Sequence, residues 1–429
     1  MMPKIFHAHV SKCGGTGLNA WLDTQVHAER ARAAGFAAQE TARRGGGRMD
    51  DLDQADPAML ALRAAVARDS IDWFDLLHGH TDLSPWLPAG SYVLTVLREP
   101  AARVLSQFRD YRRLAPHDYA GKDAAWRALH EACRTLPNFA ALAATFRGRA
   151  HFRRMFEDHQ CRALTQAAIP EVEFNSLQPE ARAEAAWQFV QAGCQRAGVL
   201  EEVDALAAAV ARDLGWCPPA RMERRNVTDA PAPSAADLAA AEALVPADRL
   251  LYRRLVAHLR QHPHPAHTVA DFERDFAATR LAALAPVLIG AEHVFDMNMP
   301  LPGFGLHGRD SPGTRECCCW FGAEPESALY LPVPGPGLPL ELRLFNKGWV
   351  DPGLPRALRV TVDDVPVAWQ AERRPEVSEA LRFRATTRRT WVKIGLHCDA
   401  AMTDAEAGRP GDDRRRKVFN LWRYSYALA

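Results

Sequence analysis

The hydrophobic pattern of this 429-residue chain changes period once, and that change constrains the fold more than any other feature. Before about residue 262, short β-prone runs alternate with Ala-rich segments whose apolar residues recur at helical spacing. After about residue 290 only short alternating runs remain, separated by Gly and Pro turns: ALYLPVPG, LELRLFN, ALRVTVDD, VPVAW, LRFRAT, TWVKIGLHC and VFNLWRYSYAL. Strands alternating with helices predict a parallel sheet flanked by helices. Short, evenly spaced strands predict a β-sandwich. The expected organisation is an α/β domain over 1–262, a linker and helix over 263–289 that follows from HPHPAH (262–267), and an all-β sandwich over 290–429. No internal repeat interrupts this plan.

Within the first part, KIFHAHV (4–10) reads as a strand. A Gly-rich turn follows, and then LNAWLDTQV, where Leu18, Trp21, Leu22 and Val26 have helical spacing. Residues 27–70 are Ala/Arg-rich, with a flexible GGG at Gly45–Gly47. DWFDLLHGH is an apolar patch that ends in a loop. YVLTVLREP is a second strand, stopped by Pro100, and AARVLSQFRDYRRL is a helix that buries Val104, Leu105, Phe108 and Tyr111. AGVLEEVDALAAAVARDLGW holds a short strand followed by a helix, and Ser234 suits the N-cap of the helix after it.

Charge narrows the function classes. Lys and Arg number 53 against 52 Asp and Glu, so there is no global field for a polyanion; nucleic acid is not an expected partner, and any anion site must be local. The basic side chains are mostly Arg, which favours forked contacts to phosphate or carboxylate. No apolar run reaches the roughly 18 residues of a membrane span, and MMPKIFHAHVSK is too short and polar for a signal peptide. Nine cysteines, an odd number, read as reduced thiols in a cytoplasmic protein.

Two segments carry the chemistry. SKCGGTG (11–17) lies between the opening strand and its helix. Small residues there let backbone N–H groups of Cys13, Gly14, Gly15 and Gly17 wrap an anion at a helix N-terminus, while Lys12 adds a mobile charge and Thr16 a hydroxyl. A plain strand-to-helix turn is the alternative. The loop is not a Walker A motif, whose Lys follows its glycines. LREPAARVLSQF (97–108) places Arg98 at a strand end, where open α/β sheets bind ligands, and Ser106 eight residues later in the next helix. Together they suit a second phosphate; the alternative is a surface Arg beside a helix-starting Pro.

Taken together, SKCGGTG and REPAARVLS resemble the sulfotransferases that use 3′-phosphoadenosine 5′-phosphosulfate (PAPS). In that family a PKTGGTS-type loop holds the 5′-phosphosulfate and RDPxxRxxS holds the 3′-phosphate. Lys12, Gly15, Thr16, Arg98, Pro100, Arg103 and Ser106 match; Ser11, Cys13, Gly17 and Glu99 depart from the pattern. His78-Gly79-His80 precedes Arg98 by about 18 residues. In the carbohydrate and uronyl 2-O-sulfotransferase branch a similar His-Gly-His supplies the general base, a role that suits an imidazole with pKa near 6.5. The late VLEEVDALAAAVARDLGW and PPARMERRNVT also look like the family, so Arg225 and Asn226 are expected to close over nucleotide or acceptor. The resemblance covers roughly residues 3–260. It implies a P-loop-like fold, PAPS as donor, no metal, and a hydroxyl acceptor, most naturally a glycan. Lys12 and His80 or His78 would be the catalytic groups.

Two other classes stay open: a P-loop kinase or NTPase, which calls for a GK[ST] loop and an acidic Mg²⁺ ligand, and a non-catalytic nucleotide- or glycan-binding protein on the same fold. The acceptor is open among polysaccharide, lipid-linked sugar and small alcohol, and so is the oligomeric state. HPHPAH reads as a linker, and the adjacent Cys317, Cys318 and Cys319 point different ways in a strand. Trp320, Trp349, Trp369, Trp391 and Trp422 read as core, with sugar stacking the alternative. The β region loosely resembles accessory sandwich domains attached to bacterial glycan-modifying transferases.

Overall fold

The computed structural model describes residues 3–33, 74–79, 87–222, 232–375, 377–409, 413 and 415–429. The described chain divides into two units. One draws on residues 1–16, 32–203 and 224–264, the other on 17–31, 204–223 and 265–429.

The first unit is built on a five-stranded sheet: β1 (Ile5–Ala8), β2 (Ala31–Ala33), β3 (Leu76–Gly79), β4 (Tyr92–Leu97) and β5 (Arg196–Val199), in the order β2-β3-β1-β4-β5. β1 pairs in parallel with β3 and β4, and β4 with β5. β1 and β4 are buried along their whole length, as a sheet covered by helices requires. β3 falls in the apolar patch expected to end in a loop: Leu76 and Leu77 are buried, and the strand runs through His78 to Gly79. The opening helix α1 (Gly15–Thr24) starts three residues earlier than its apolar spacing announces. Helix α2 (Pro100–Arg113) follows β4 with Pro100 in its first turn, and the Glu99 carboxylate accepts from Ala101 N at 3.4 Å and Ala102 N at 2.6 Å. The apolar face of α2 enters a helical core with Leu129, Phe139, Phe152 and Phe156, and a second core of Phe6, Val93, Leu97, Leu164 and Leu251 packs at the sheet.

The C-terminal sequence of the second unit forms two antiparallel sheets in a sandwich-like arrangement. Its core gathers Phe295, Tyr330, Leu342, Phe383, Ile394 and Tyr424. The strands that matter below are β6 (Arg359–Val362), β7 (Val365–Val367), β8 (Trp369–Arg374) and β9 (Trp391–His397). The end of α1 belongs to this unit: the Thr24 carbonyl accepts from Leu301 N at 2.8 Å and from Arg309, and Trp21 meets Trp216 edge-on at 5.8 Å. The helix expected after the linker is broken at Phe276 into Val269–Asp275 and Ala277–Leu281. No disulfide joins the cysteines, and among the described residues no helix is long and apolar enough to cross a membrane.

Candidate functional site

The strand order locates the site. The chain lays β2 and β3 on one side of β1, then crosses to lay β4 and β5 on the other. Open α/β sheets bind ligands beyond the carboxyl ends of the strands where that reversal occurs, here between β1 and β4. The segments leaving those two ends are the 9–14 loop and Arg98-Glu99.

The loop is held from several sides. The Arg103 guanidinium, buried under it, donates from Nε to the Ser11 carbonyl at 3.2 Å and from Nη1 to Met155 O at 2.6 Å. Gln107 accepts from Ser11 Oγ at 3.0 Å and from Arg103 Nη2 at 3.3 Å. Gln160, also buried, accepts through Oε1 from Arg98 N at 2.9 Å and from Cys13 Sγ at 3.4 Å, and donates through Nε2 to Arg98 O at 2.9 Å. One amide therefore ties the loop to the end of β4. Arg98 Nη1 closes the connection by donating to Lys12 O at 3.2 Å.

Lys12 and Gly14 have φ of +66° and +82°. A lysine in the left-handed region carries backbone strain that its surroundings must hold; Arg98 does so by gripping its carbonyl. Gly14 and Gly15 are required by packing. A Cβ on Gly14 would lie 2.2 Å from Leu200 Cδ1, and one on Gly15 would lie 2.1 Å from the His9 ring. The glycines that suggested a phosphate cradle thus have a second cause in the protein itself.

Among the sequence-selected residues, the structure brings Lys12, Cys13, Gly14, Gly15, Thr16 and Arg98 to one end of the sheet. Thr16 is exposed in the first turn of α1, with Gly17 buried beside it. Cys13 is fully buried; burial pushes its thiol up to about 12, so only its backbone is available to a ligand. Ser106 is half-buried on α2. Arg98 is half-buried and has no carboxylate partner among the described residues, so its charge is left for an anion to meet. Lys12 is engaged: its Nζ pairs with Asp110 Oδ1 of α2 at 3.0 Å. His78 ends near the same sheet edge, in register with His7 of β1, and is half-buried. His80, Arg225 and Asn226 lie outside the described residues.

Sequence reasoning missed Gln160, the buried role of Arg103, and two carboxylates behind them. Asp248, in the first turn of Pro246–Gln261, accepts from Gln160 N at 3.1 Å and Cys161 N at 2.8 Å. Asp158 accepts from Ala247 N at 2.8 Å and Asp248 N at 3.1 Å. Each carboxylate caps the helix that carries or follows the other. Burial and the charge of Asp158 push Asp248 up to about 6. Only the N-cap preference of Asp hinted at these residues, and that preference names no partner.

No family model and no curated protein matches the chain. Among solved structures it is similar to a family 35 carbohydrate binding module from Clostridium thermocellum in its native structure, at 14% identity and a TM-score of 0.19, covering 34% of this chain and all of that one. A TM-score of that size carries no argument about fold or function.

The ion pair of Lys12 makes a prediction. Asp110→Asn removes the competing carboxylate, so an anion at the loop meets a free ammonium; sulfate should bind about 1.5–5-fold tighter in calorimetry, the worth of a partly exposed ion pair. Unchanged or weaker affinity would place Lys12 away from the anion.

Proposed function

We propose that the first unit is a PAPS-dependent sulfotransferase, of P-loop-like fold, acting on a hydroxyl of a carbohydrate. The observation that carries this reading is Arg98: a half-buried guanidinium without a carboxylate partner among the described residues, fixed against the Lys12–Gly14 loop by Gln160 and by its own bond to Lys12 O. The residues present suit such a donor. The N-terminus of the ten-residue helix α1 offers backbone N–H groups and the exposed Thr16 hydroxyl to a 5′-phosphate. Arg98, with Ser106, suits a 3′-phosphate.

In this scheme the acceptor oxygen attacks sulfur in line, the bond from sulfur to the 5′-phosphate oxygen breaks, and 3′,5′-ADP departs. The acceptor proton passes to His80 or His78. Lys12, released from Asp110, stabilises the charge that grows on the departing phosphate oxygen. Most of the catalysis is then positioning and electrostatics.

Calorimetry with the full-length protein tests the reading. It should bind 3′,5′-ADP more tightly than 5′-AMP by about 10–100-fold, the worth of one charge-assisted contact at roughly 1.5–3 kcal/mol. Arg98→Ala should erase most of that preference. Equal affinity for the two nucleotides sinks the assignment, and tighter binding of ATP than of either moves it to the kinase or NTPase class.

A further inference from the structure

A second concave site lies wholly within the other unit. A cavity of about 440 Å³ opens on the sandwich where β6, β7 and β9 meet the start of β8. Its lining joins an aromatic wall to several polar side chains, the composition of a small-ligand site. Trp369 is half-buried: it packs on the core, its Nε1 donates to Leu358 O at 3.4 Å, and it also forms part of the wall, beside exposed Pro366.

The polar side comes from two paired strands. Arg359 of β6 lies opposite His397 of β9, and Thr361 lies opposite Gly395. Thr361 Oγ1 and His397 Nε2 are 3.4 Å apart, and both line the cavity. Gly395 makes room for that pair: a Cβ there would fall 2.3 Å from the Thr361 hydroxyl and 3.3 Å from His397 Nε2. The one acidic lining residue, Asp364, is already paired with Lys393 at 2.8 Å. Arg359 is exposed at the rim and has no carboxylate partner among the described residues, so the cavity presents a net cation beside its aromatic wall.

The geometry points to a binding site for a pyranose sugar that carries an anionic group. The indole offers an apolar face to the C–H side of the ring. The Thr361 hydroxyl and His397 ring exchange hydrogen bonds with ring hydroxyls. Arg359 takes the anion in its planar fork, whether a uronate carboxylate or a sulfate ester. The site owes nothing to the sulfotransferase reading, since none of its residues belongs to the first unit.

Saturation-transfer NMR on the full-length protein, with methyl β-glucuronide, methyl β-glucoside 6-sulfate and methyl β-glucoside as probes, tests it. Both anionic sugars, or one of them, should bind at least 10-fold more tightly than the neutral one; which of the two is preferred identifies the anion. Arg359→Ala, an exposed change that leaves the core intact, should level the three. Trp369→Ala should abolish all three signals, and Trp369→Phe, which retains a ring against the core, should weaken them several-fold. Arg98→Ala should leave sugar binding unchanged, so failure here and failure of nucleotide binding are read separately. The assignment is overturned if no probe binds, if the neutral sugar binds as well as the anionic ones, or if Arg359→Ala keeps the preference.

Discussion

Lys12→Ala is expected to lower kcat for sulfuryl transfer by about 10²–10³-fold, the usual loss when a group that meets developing negative charge is removed, and to weaken 3′,5′-ADP binding as well. The histidines should fail differently. Alanine at the base, His80 or His78, should cost about 10²–10⁴-fold in rate while leaving 3′,5′-ADP affinity nearly unchanged, because a base touches only the acceptor proton. Single-turnover rates with a carbohydrate acceptor, beside calorimetry on each variant, separate the two patterns. Near-normal turnover in both histidine variants would make His78-Gly79-His80 structural. Normal turnover in Lys12→Ala would mean that the Lys12–Asp110 pair at 3.0 Å is simply a loop anchor.

The contrast between Lys12 and its supports shows how far the sequence could be read. The strand–loop–helix opening, the strand before Arg98 and the run of strands after residue 290 were legible because periodicity and turn residues are local signals. The Ser234 cap was legible for the same reason: its hydroxyl accepts from Asp237 N at 3.1 Å. The β3 strand was not, because its Leu76-Leu77 pair runs straight into His78-Gly79-His80, polar and glycine residues that read as a loop. The sharing of α1 between units also escaped. It rests on Arg309 and Leu301 reaching the Thr24 carbonyl from the far C-terminal part of the chain, and nothing in α1 itself announces such partners. Within the site, Lys12 and Arg98 stood out by residue type and position. Gln160 did not, since a glutamine in an amphipathic helix looks like a surface residue until its amide is found between Arg98 and Cys13. Arg103 matched the family pattern at its place in the motif, but only the fold shows that its guanidinium is buried and spent on the Ser11 and Met155 carbonyls.

Behind that loop, Asp158→Ala is expected to be the most damaging single substitution for stability in the first unit. Its carboxylate accepts from Ala247 N, Asp248 N and, at 2.9 Å, Arg182 Nη1, and its removal leaves two buried amides and a largely buried guanidinium without that acceptor. Breaking one side of a buried ion pair costs about 3–5 kcal/mol, which is a large part of the stability of an ordinary domain. Urea denaturation followed by far-UV circular dichroism reads the loss; a change below 1 kcal/mol would show that water replaces the carboxylate without penalty. Asp248 adds a pH dependence whose sign is fixed by its environment. Its folded pKa, pushed up to about 6 by burial and by Asp158, exceeds the ordinary value near 3.9. The folded state therefore binds the proton more tightly than the unfolded chain, and the stability this group contributes is full below about pH 4 and is lost as pH rises through about 6. The destabilisation caused by Asp248→Ala should accordingly be larger at pH 5 than at pH 8. Because Asp248 holds the backbone of Gln160, and Gln160 holds Arg98, the same substitution should also weaken 3′,5′-ADP binding in protein that remains folded. Retention of full affinity in such protein would show that Arg98 keeps its place without the carboxylates beneath it.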